Sequence, residues 1–257
     1  MNKDKLRQIV NVLALILTLS VNGLANALPL NGHTTGEISD MFKVYFVPAG
    51  YVFSIWGVIY LFLIGFAIYQ ALPSQRENPR LRRIGYLFAL SCLANSAWIF
   101  LWHSLLFPWT LLVMAALLGL LIAIYLRLGI GKIRVAPAEA WLVHVPFSLY
   151  LGWISVAAIS NATMLLAYLG WNGWGLPAEI WAVLMLAAAT GIAALVSLRH
   201  GDVAYALVIV WALAGIAVQQ SATPAVSIAA WVASGLTALM LVIGRFFYEL
   251  RRQSGEN

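Results

Sequence analysis

Charged side chains are scarce in this 257-residue chain, where Asp, Glu, Lys and Arg make up 9% of the residues. A soluble domain has about 25% charged and about 45–50% apolar residues. Here 63% of the residues are apolar and the mean hydropathy is +0.89. These values exclude a soluble globular enzyme and a disordered chain. They are typical of a polytopic α-helical membrane protein.

Groups that carry chemistry are scarce as well. The single cysteine, Cys92, excludes an internal disulfide and a cysteine metal cluster. No Asp, Glu, Lys or Arg is expected in the middle of a membrane helix, which argues against a proton pump or an ion-coupled carrier. The sequence has no phosphate-binding loop, no histidine pair at metal-ligand spacing and no acid–base constellation. It therefore predicts no catalytic residue and no metal site, and enzymatic chemistry would have to be supplied by a bound ligand.

Eight apolar stretches are long enough to cross a membrane, since a spanning helix needs about 20 mostly apolar residues. The sequence therefore predicts an all-α, polytopic membrane helical bundle. The last three spans are richer in alanine and poorer in polar groups, which indicates a five-helix unit over 1–165 and a three-helix extension with a cytoplasmic tail over 166–257. The predicted spans are 8–28, 48–72, 84–106, 109–127, 138–161, 177–198, 202–220 and 224–248.

The basic residues are sorted by this arrangement. Fourteen of the 15 lie before the first span, after the second, fourth and sixth, or at the end of the chain, and only Lys43 falls on the other side. The positive-inside rule makes the basic side cytoplasmic. We therefore expect a protein of the bacterial inner membrane with both termini in the cytoplasm. The net charge of +6 is then an orientation signal, and no nucleic-acid partner is expected.

Three of the 11 tryptophans do not fit the usual interfacial belt. Trp56, Trp98 and Trp153 each lie eight residues from the outer end of a different predicted helix, which at the helical rise is a depth of about 12 Å. Three rings at one depth either fill the core of the bundle or line one cavity. The spacing leaves both interpretations open.

Aromatic and amide side chains accompany these tryptophans. Phe53 and Tyr60 share a helix face with Trp56, and Asn95 lies one turn from Trp98. Asparagine side chains join membrane helices by hydrogen bonds, or orient ligands in apolar pockets. The residues alone do not separate these roles.

The longest outer loop, over 29–47, joins the first two spans. Loops of this length are often lids or binding loops, and this one is placed to cap an outward-facing cavity. It carries His33, and His103 lies near the outer end of the third span. Interfacial hydrogen bonding and axial ligation of a haem are the two interpretations of these histidines.

Three motifs then resemble a known family. The stretch 48–60, PAGYVFSIWGVIY, has a proline, a Phe and Trp-x-x-x-Tyr at the start of a second helix. Asn95-x-x-Trp98 follows in the third span, and Trp153-x-x-x-Ala157-x-x-x-Asn161 in the fifth. In order and placement these resemble the TspO/MBR family, the tryptophan-rich sensory proteins, over roughly residues 8–165. The chain departs from the family pattern at Pro48-Ala49, where the family pairs two prolines, and at Tyr150, which holds the place of the family's tryptophan in the fifth helix.

The resemblance implies a five-helix bundle around an apolar pocket under the first loop. It implies binding of tetrapyrroles such as porphyrins, or of sterol-like molecules, with a sensory or transport role. It further implies that no cofactor is required and that a porphyrin or haem can be the bound ligand. The expected partners are membrane lipid and a second copy of the chain in a homodimer. Carried over residue by residue, the ligand-binding set is Phe53, Trp56, Tyr60, Asn95, Trp98, Trp153, Ala157 and Asn161.

Two other functions remain open at this stage. A permease for a neutral or amphipathic solute would use the extra helices to complete a path, and discontinuous helices meeting at the midplane would favour it. A structural subunit of a membrane complex would show a long apolar stripe on the last three helices.

Overall fold

The computed structural model describes residues 3–28 and 30–254. The side chains of residues 251–254, including Arg251 and Arg252 of the orientation argument, lie outside that description. The helices are α1 (Lys3–Ala27), α2 (Thr35–Ser39), α3 (Ile55–Ala71), α4 (Pro79–Ile84), α5 (Leu87–His103), α6 (Phe107–Leu128), α7 (Pro137–Glu139), α8 (Val145–Tyr168), α9 (Ala178–His200), α10 (Val203–Gln219) and α11 (Pro224–Ser254). Short 3₁₀ turns occur at Leu30–Gly32, Gly50–Ser54, Pro73–Gln75 and Gly173–Gly175, and a π-helical turn at Ala140–His144 joins α7 to α8.

Each of the eight predicted spans coincides with one apolar helix. In the described part of the chain, six helical segments are long and apolar enough to cross a membrane: Lys3–Ala27, Gly50–Ala71, Phe107–Leu128, Pro137–Tyr168, Ala178–His200 and Pro224–Leu250. The other two, α5 and α10, are apolar helices of 17 residues each. No strand occurs within residues 3–28 and 30–254, so the predicted all-α membrane bundle is confirmed.

Local residue chemistry sets several helix ends. Pro79, Pro108 and Pro137 stand in the first turns of α4, α6 and α7, where a missing N–H costs no helical hydrogen bond. Gly129 and Gly201 follow α6 and α9 with φ values of 65° and 59°. This left-handed conformation, which glycine adopts without a steric penalty, stops each helix.

The chain forms two compact units. Unit 1 comprises residues 1–41, 56–129 and 134–151. Its centre is a triad of Phe66 in α3, Phe88 in α5 and Phe147 in α8, whose ring centroids are 4.8–5.8 Å apart in edge-to-face geometry. Such pairs stabilise a core beyond the area they bury.

Unit 2 comprises residues 42–55, 130–133 and 152–257. Here α9, α10 and α11 pack on one another, and α10 contacts the second half of α8. The Cβ that any other residue would add at Gly152 would lie 3.0 Å from the Tyr205 carbonyl oxygen, so glycine lets α8 and α10 approach closely, as small residues do in membranes. The Tyr205 hydroxyl and the Ser155 hydroxyl are hydrogen bonded at 3.1 Å across the same contact. The predicted division of the chain at residue 165 concerns family units and stays a prediction.

The basic segments of unit 1 meet at one end of it. Arg7 donates to the Arg76 carbonyl at 2.8 Å, and Arg82 donates to the Asp4 carboxylate. Arg80 forms a bidentate ion pair with Glu139, at the start of the next basic-side helix. The start of α1, the loop after the second span and the start of the fifth span therefore share one end of unit 1, in agreement with the sorting of basic residues.

Candidate functional site

Trp56, Tyr60 and Asn95 are brought together in unit 1. The Trp56 and Tyr60 rings stack at 5.2 Å, as residues one turn apart on α3 can. The Trp56 ring also meets the edge of Tyr150 at 5.9 Å, and Asn95 is bonded to the Tyr150 hydroxyl at 3.0 Å. Tyr150 therefore joins the tryptophan of α3 to the amide of α5.

The Asn95 amide links three helices. Its oxygen accepts from Asn22 Nδ2 of α1 at 2.8 Å, and its nitrogen donates to Tyr150 of α8. One turn along, Thr18 Oγ1 donates to the Cys92 carbonyl at 3.0 Å. These bonds assign Asn95 the helix-joining role that the sequence left open, while the amide still has one N–H and one lone pair for a ligand.

The Tyr60 hydroxyl is a second group of this cluster that can form a hydrogen bond with a ligand. It is buried and makes no hydrogen bond of ordinary geometry among the described residues, although Asn95 is close to it. A buried hydroxyl without a partner is costly. A ligand oxygen or nitrogen at this point would satisfy it.

Trp98 lies in the same unit and stacks on Trp102 at 4.9 Å. Next to it, His103 is buried, with Nε2 3.1 Å from Thr35 Oγ1 and Nδ1 3.3 Å from the Leu30 carbonyl oxygen. Both ring nitrogens thus hold the first loop to the end of α5. These contacts agree with the hydrogen-bonding interpretation of His103.

Phe53 and Trp153 are brought together in unit 2, with ring centroids 5.7 Å apart. The sequence placed Phe53 on a helix face with Trp56 and Tyr60, but Phe53 lies in the 3₁₀ turn Gly50–Ser54, before α3 begins. A 3₁₀ turn has three residues per turn, which shifts its side chains from an α-helical face. Ala157 and Asn161 follow Trp153 at one-turn steps along α8, and Asn161 is buried.

A cavity of about 440 Å³ lies elsewhere in unit 2. The first-loop residues 43–46 form one wall, and the ends of α8 and α9 with the turn between them form the others. Most of its lining is apolar, and Lys43, Thr163 and Asn172 are among its polar members. The aromatic lining residues are Tyr45, Phe46, Trp171 and Trp181.

The turn between α8 and α9 holds a cluster of three tryptophans. Trp171 and Trp181 are 4.9 Å apart, and Trp174 lies 5.5 Å from each. Trp181 Nε1 donates to the Gly173 carbonyl at 2.9 Å, and Gly173 has a φ of 64°. Trp171 and Trp181 line the cavity, whereas Trp174 does not and is 77% exposed.

The loop wall of the cavity is fastened to α9. The Tyr45 hydroxyl donates to Glu179 Oε1 at 2.9 Å. That carboxylate raises the pKa of Tyr45, because ionisation of the phenol would lose the hydrogen bond and place two negative charges together. Tyr45 therefore stays neutral at physiological pH and keeps the loop closed over this side of the cavity.

Sequence reasoning missed Tyr150, Trp171 and Trp181. A signal existed for Tyr150, which stands where the resembled family has a tryptophan. Trp171 has an interfacial sequence position, and nothing in the sequence shows that it turns toward Trp181. The predicted cap over a cavity has a counterpart in residues 43–46, but with different residues beneath it.

Comparison with known proteins gives one match. The family model described as TSPO-like protein matches residues 8–243. No curated protein and no solved structure matches the chain. The matched range runs beyond the resemblance seen in the first five helices and into α11. The chain therefore belongs to the family of TSPO-like proteins and is an integral membrane protein of the TspO type.

Proposed function

We propose that this protein binds a tetrapyrrole or another apolar, sterol-like molecule in the half of the bundle that faces away from the cytoplasm, with a sensory or transport role. The proposal includes a bacterial inner membrane, both termini in the cytoplasm and a homodimeric state. No residue of the described chain is assigned to catalysis.

The cavity beneath residues 43–46 carries the proposal. Its volume of about 440 Å³ falls within the roughly 300–1,000 Å³ of small-molecule sites, which are mostly apolar with a few polar groups that fix orientation. Trp171 and Trp181 offer ring faces to a planar ligand, and Asn172 and Lys43 offer hydrogen bonds or charge at the rim. A porphyrin combines a flat apolar body with polar substituents, so its body matches the tryptophan rings and its substituents match the polar lining residues.

The eight residues carried over from the family motifs form the second part of the proposal. Trp56, Tyr60 and Asn95 supply ring faces, an unsatisfied hydroxyl and an amide in unit 1. Phe53 and Trp153 supply an aromatic pair in unit 2. Trp98, Ala157 and Asn161 complete the proposed set. If the ligand reaches these residues, they contribute to affinity as well as to packing.

A fluorescence titration tests whether the full chain binds a porphyrin and whether the residues carried over from the family motifs contribute to that binding. Protoporphyrin is added to the full chain in nanodiscs, and quenching of tryptophan emission gives the affinity. Trp56→Leu and Trp153→Leu keep apolar bulk but remove the N–H and the ring face, and loss of such a contact weakens binding about ten-fold. Trp109→Leu is the matched control, because Trp109 is 59% exposed on α6.

The melting temperature is measured on the same variants. Weaker binding with little change in melting temperature supports a ligand role for Trp56 and Trp153. Unchanged affinity with a lower melting temperature limits them to packing, and absence of saturable binding by the wild-type chain contradicts the proposed function itself.

The permease alternative gains no specific support from the fold. Discontinuous helices at the midplane would favour it, but the irregular turns Gly50–Ser54 and Ala140–His144 adjoin the ends of spanning segments.

A further inference from the structure

We propose that unit 1 binds an anionic phospholipid at its basic end, with the lipid phosphate at Lys5 and Arg76 and one acyl chain between α1 and α3. This inference concerns a different part of the molecule from the ligand site proposed above, and it does not depend on that proposal.

An apolar groove of about 630 Å³ runs between α1 and α3. Its walls include Val12, Ile16 and Leu19 of α1 and Ile64, Ile68 and Ala71 of α3. Counted together with the adjoining cavity described next, which Ile9 lines, the α1 side extends from Ile9 to Leu19, which is ten residues or about 15 Å at the helical rise. This is half of a hydrocarbon core of about 30 Å, so the groove matches one leaflet.

A second cavity, of about 240 Å³, continues the groove at the basic end. The two share Val12 and Ala71, and the second is lined by Lys5, Gln8 and Arg76. Gln8 donates to the Gln70 carbonyl at 2.6 Å, which holds α1 against the end of α3 beside the groove. The space is therefore apolar along its length and cationic at its mouth.

Within the described part of the chain, no carboxylate neutralises the cations at the mouth. Asp4, which is near enough to feel the charge of Arg76, already accepts from Arg7 at 3.1 Å and from Arg82. Among the described residues, no carboxylate lies within ion-pair distance of Lys5 or Arg76, and the buried Arg76 Nε has no hydrogen-bond partner. Glu77, beside Arg76 in the chain, is exposed and faces Arg82 at 3.5 Å, and Glu139 is paired with Arg80.

A phosphodiester fits this mouth. Arginine offers a planar set of donors and lysine a compact positive charge, and basic pockets between membrane helices on the cytoplasmic side are typical sites of anionic headgroups. The continuous groove favours a lipid over a soluble phosphate, because only a lipid also covers the apolar walls of α1 and α3.

Native mass spectrometry of the full chain in detergent tests the proposal. The protein is titrated with phosphatidylglycerol, phosphatidylcholine or inorganic phosphate, and bound lipid is counted. We expect phosphatidylglycerol to bind in preference to phosphatidylcholine. Lys5→Gln and Arg76→Gln each remove about 1 kcal/mol of headgroup attraction, a five-fold loss, and the double variant loses about thirty-fold.

Matched variants separate the site from general surface charge. Arg83→Gln removes an exposed basic residue that does not line the groove, and we expect no change. Ala71→Phe narrows the groove and should weaken lipid binding, whereas Leu61→Phe, at an exposed α3 position outside it, should not. Arg76→Gln keeps the backbone carbonyl that holds Arg7, and melting temperatures verify that each variant is folded.

Three results would overturn the proposal. Equal binding of the two phospholipids excludes recognition of the charge. Equal losses in Arg76→Gln and Arg83→Gln indicate nonspecific attraction. The third result combines two observations: Ala71→Phe binds the lipid as the wild type does, and an equal concentration of inorganic phosphate displaces the lipid. Together they would show that the mouth binds a soluble anion.

Discussion

Asn95 donates a hydrogen bond to the hydroxyl of Tyr150 at 3.0 Å, and this bond joins α5 to α8 inside the apolar part of unit 1. The same amide accepts from Asn22 of α1, so one side chain connects three helices. Lipid cannot satisfy an amide or a hydroxyl, which makes each member of this set depend on the others.

Removing the amide should destabilise the fold. Interhelical hydrogen bonds in membranes contribute about 0.6–1.7 kcal/mol each, so Asn95→Leu, which breaks two, should cost about 1–3 kcal/mol. Tyr150→Phe removes one bond and keeps the ring against Trp56, so it should cost less. Unfolding measurements on both single variants and the double variant give the coupling energy, and strictly additive effects would show that the bond contributes nothing.

A glycine in unit 2 permits a second close approach. A Cβ on Gly215 would overlap the Val52 side chain and lie 3.3 Å from Pro48, while the Gly215 carbonyl accepts from the Ala49 N–H at 3.1 Å. Gly215→Ala should therefore cost about 1–3 kcal/mol through overpacking. Gly191→Ala is the control, since its Cβ meets open space and alanine favours the helix by up to about 1 kcal/mol. Equal melting temperatures for the two variants would contradict this packing.

The helices were predictable from the sequence because the membrane imposes their length and apolarity. The pairing of side chains was only partly predictable. Trp56 and Tyr60 stack as their spacing on α3 implies, since both lie in one regular helix. Phe53 departs from that face because the preceding residues form a 3₁₀ turn, which hydropathy does not reveal.

A cavity capped by the first loop was expected, but the residues that line the cavity found here were beyond the reach of sequence reasoning. It depends on the turn after α8, where Gly173 at positive φ lets Trp181 bond to its carbonyl. That turn directs Trp171 to the cavity and Trp174 to the surface. Nothing in the spacing of Trp171 and Trp174 distinguishes these two directions.

The orientation of the chain predicts where two lysines are accessible. Lys43→Cys should react with a membrane-impermeant maleimide added to intact cells, because Lys43 is exposed and the proposed topology places it on the outer side. Lys132→Cys should react only after the cells are opened. Cys92 is buried and contributes little background. The reverse labelling pattern would contradict the proposed topology.

The contact between Tyr45 and Glu179 predicts a pH dependence. Glu179 holds the pKa of Tyr45 above its usual value. That usual value is about 10 in model peptides. The stability from this contact is fully present below that usual value, and it is lost as the pH rises through the higher folded pKa.

Carbon-13 NMR of labelled tyrosine, assigned with Tyr45→Phe, should show the pKa of Tyr45 fall in Glu179→Gln. Glu249→Gln should leave it unchanged, since that carboxylate pairs with Arg245 at 2.5 Å. A fall in both variants would show that the shift comes from general charge.

The affinity of the full chain for protoporphyrin in Trp171→Leu and Trp174→Leu tests the account most directly. Both tryptophans belong to one cluster, but only Trp171 lines the cavity. If the cavity binds the ligand, Trp171→Leu should weaken binding about ten-fold through loss of a ring contact, while Trp174→Leu retains the wild-type affinity. Wild-type affinity in Trp171→Leu, or the same loss in both variants, would contradict binding in this cavity.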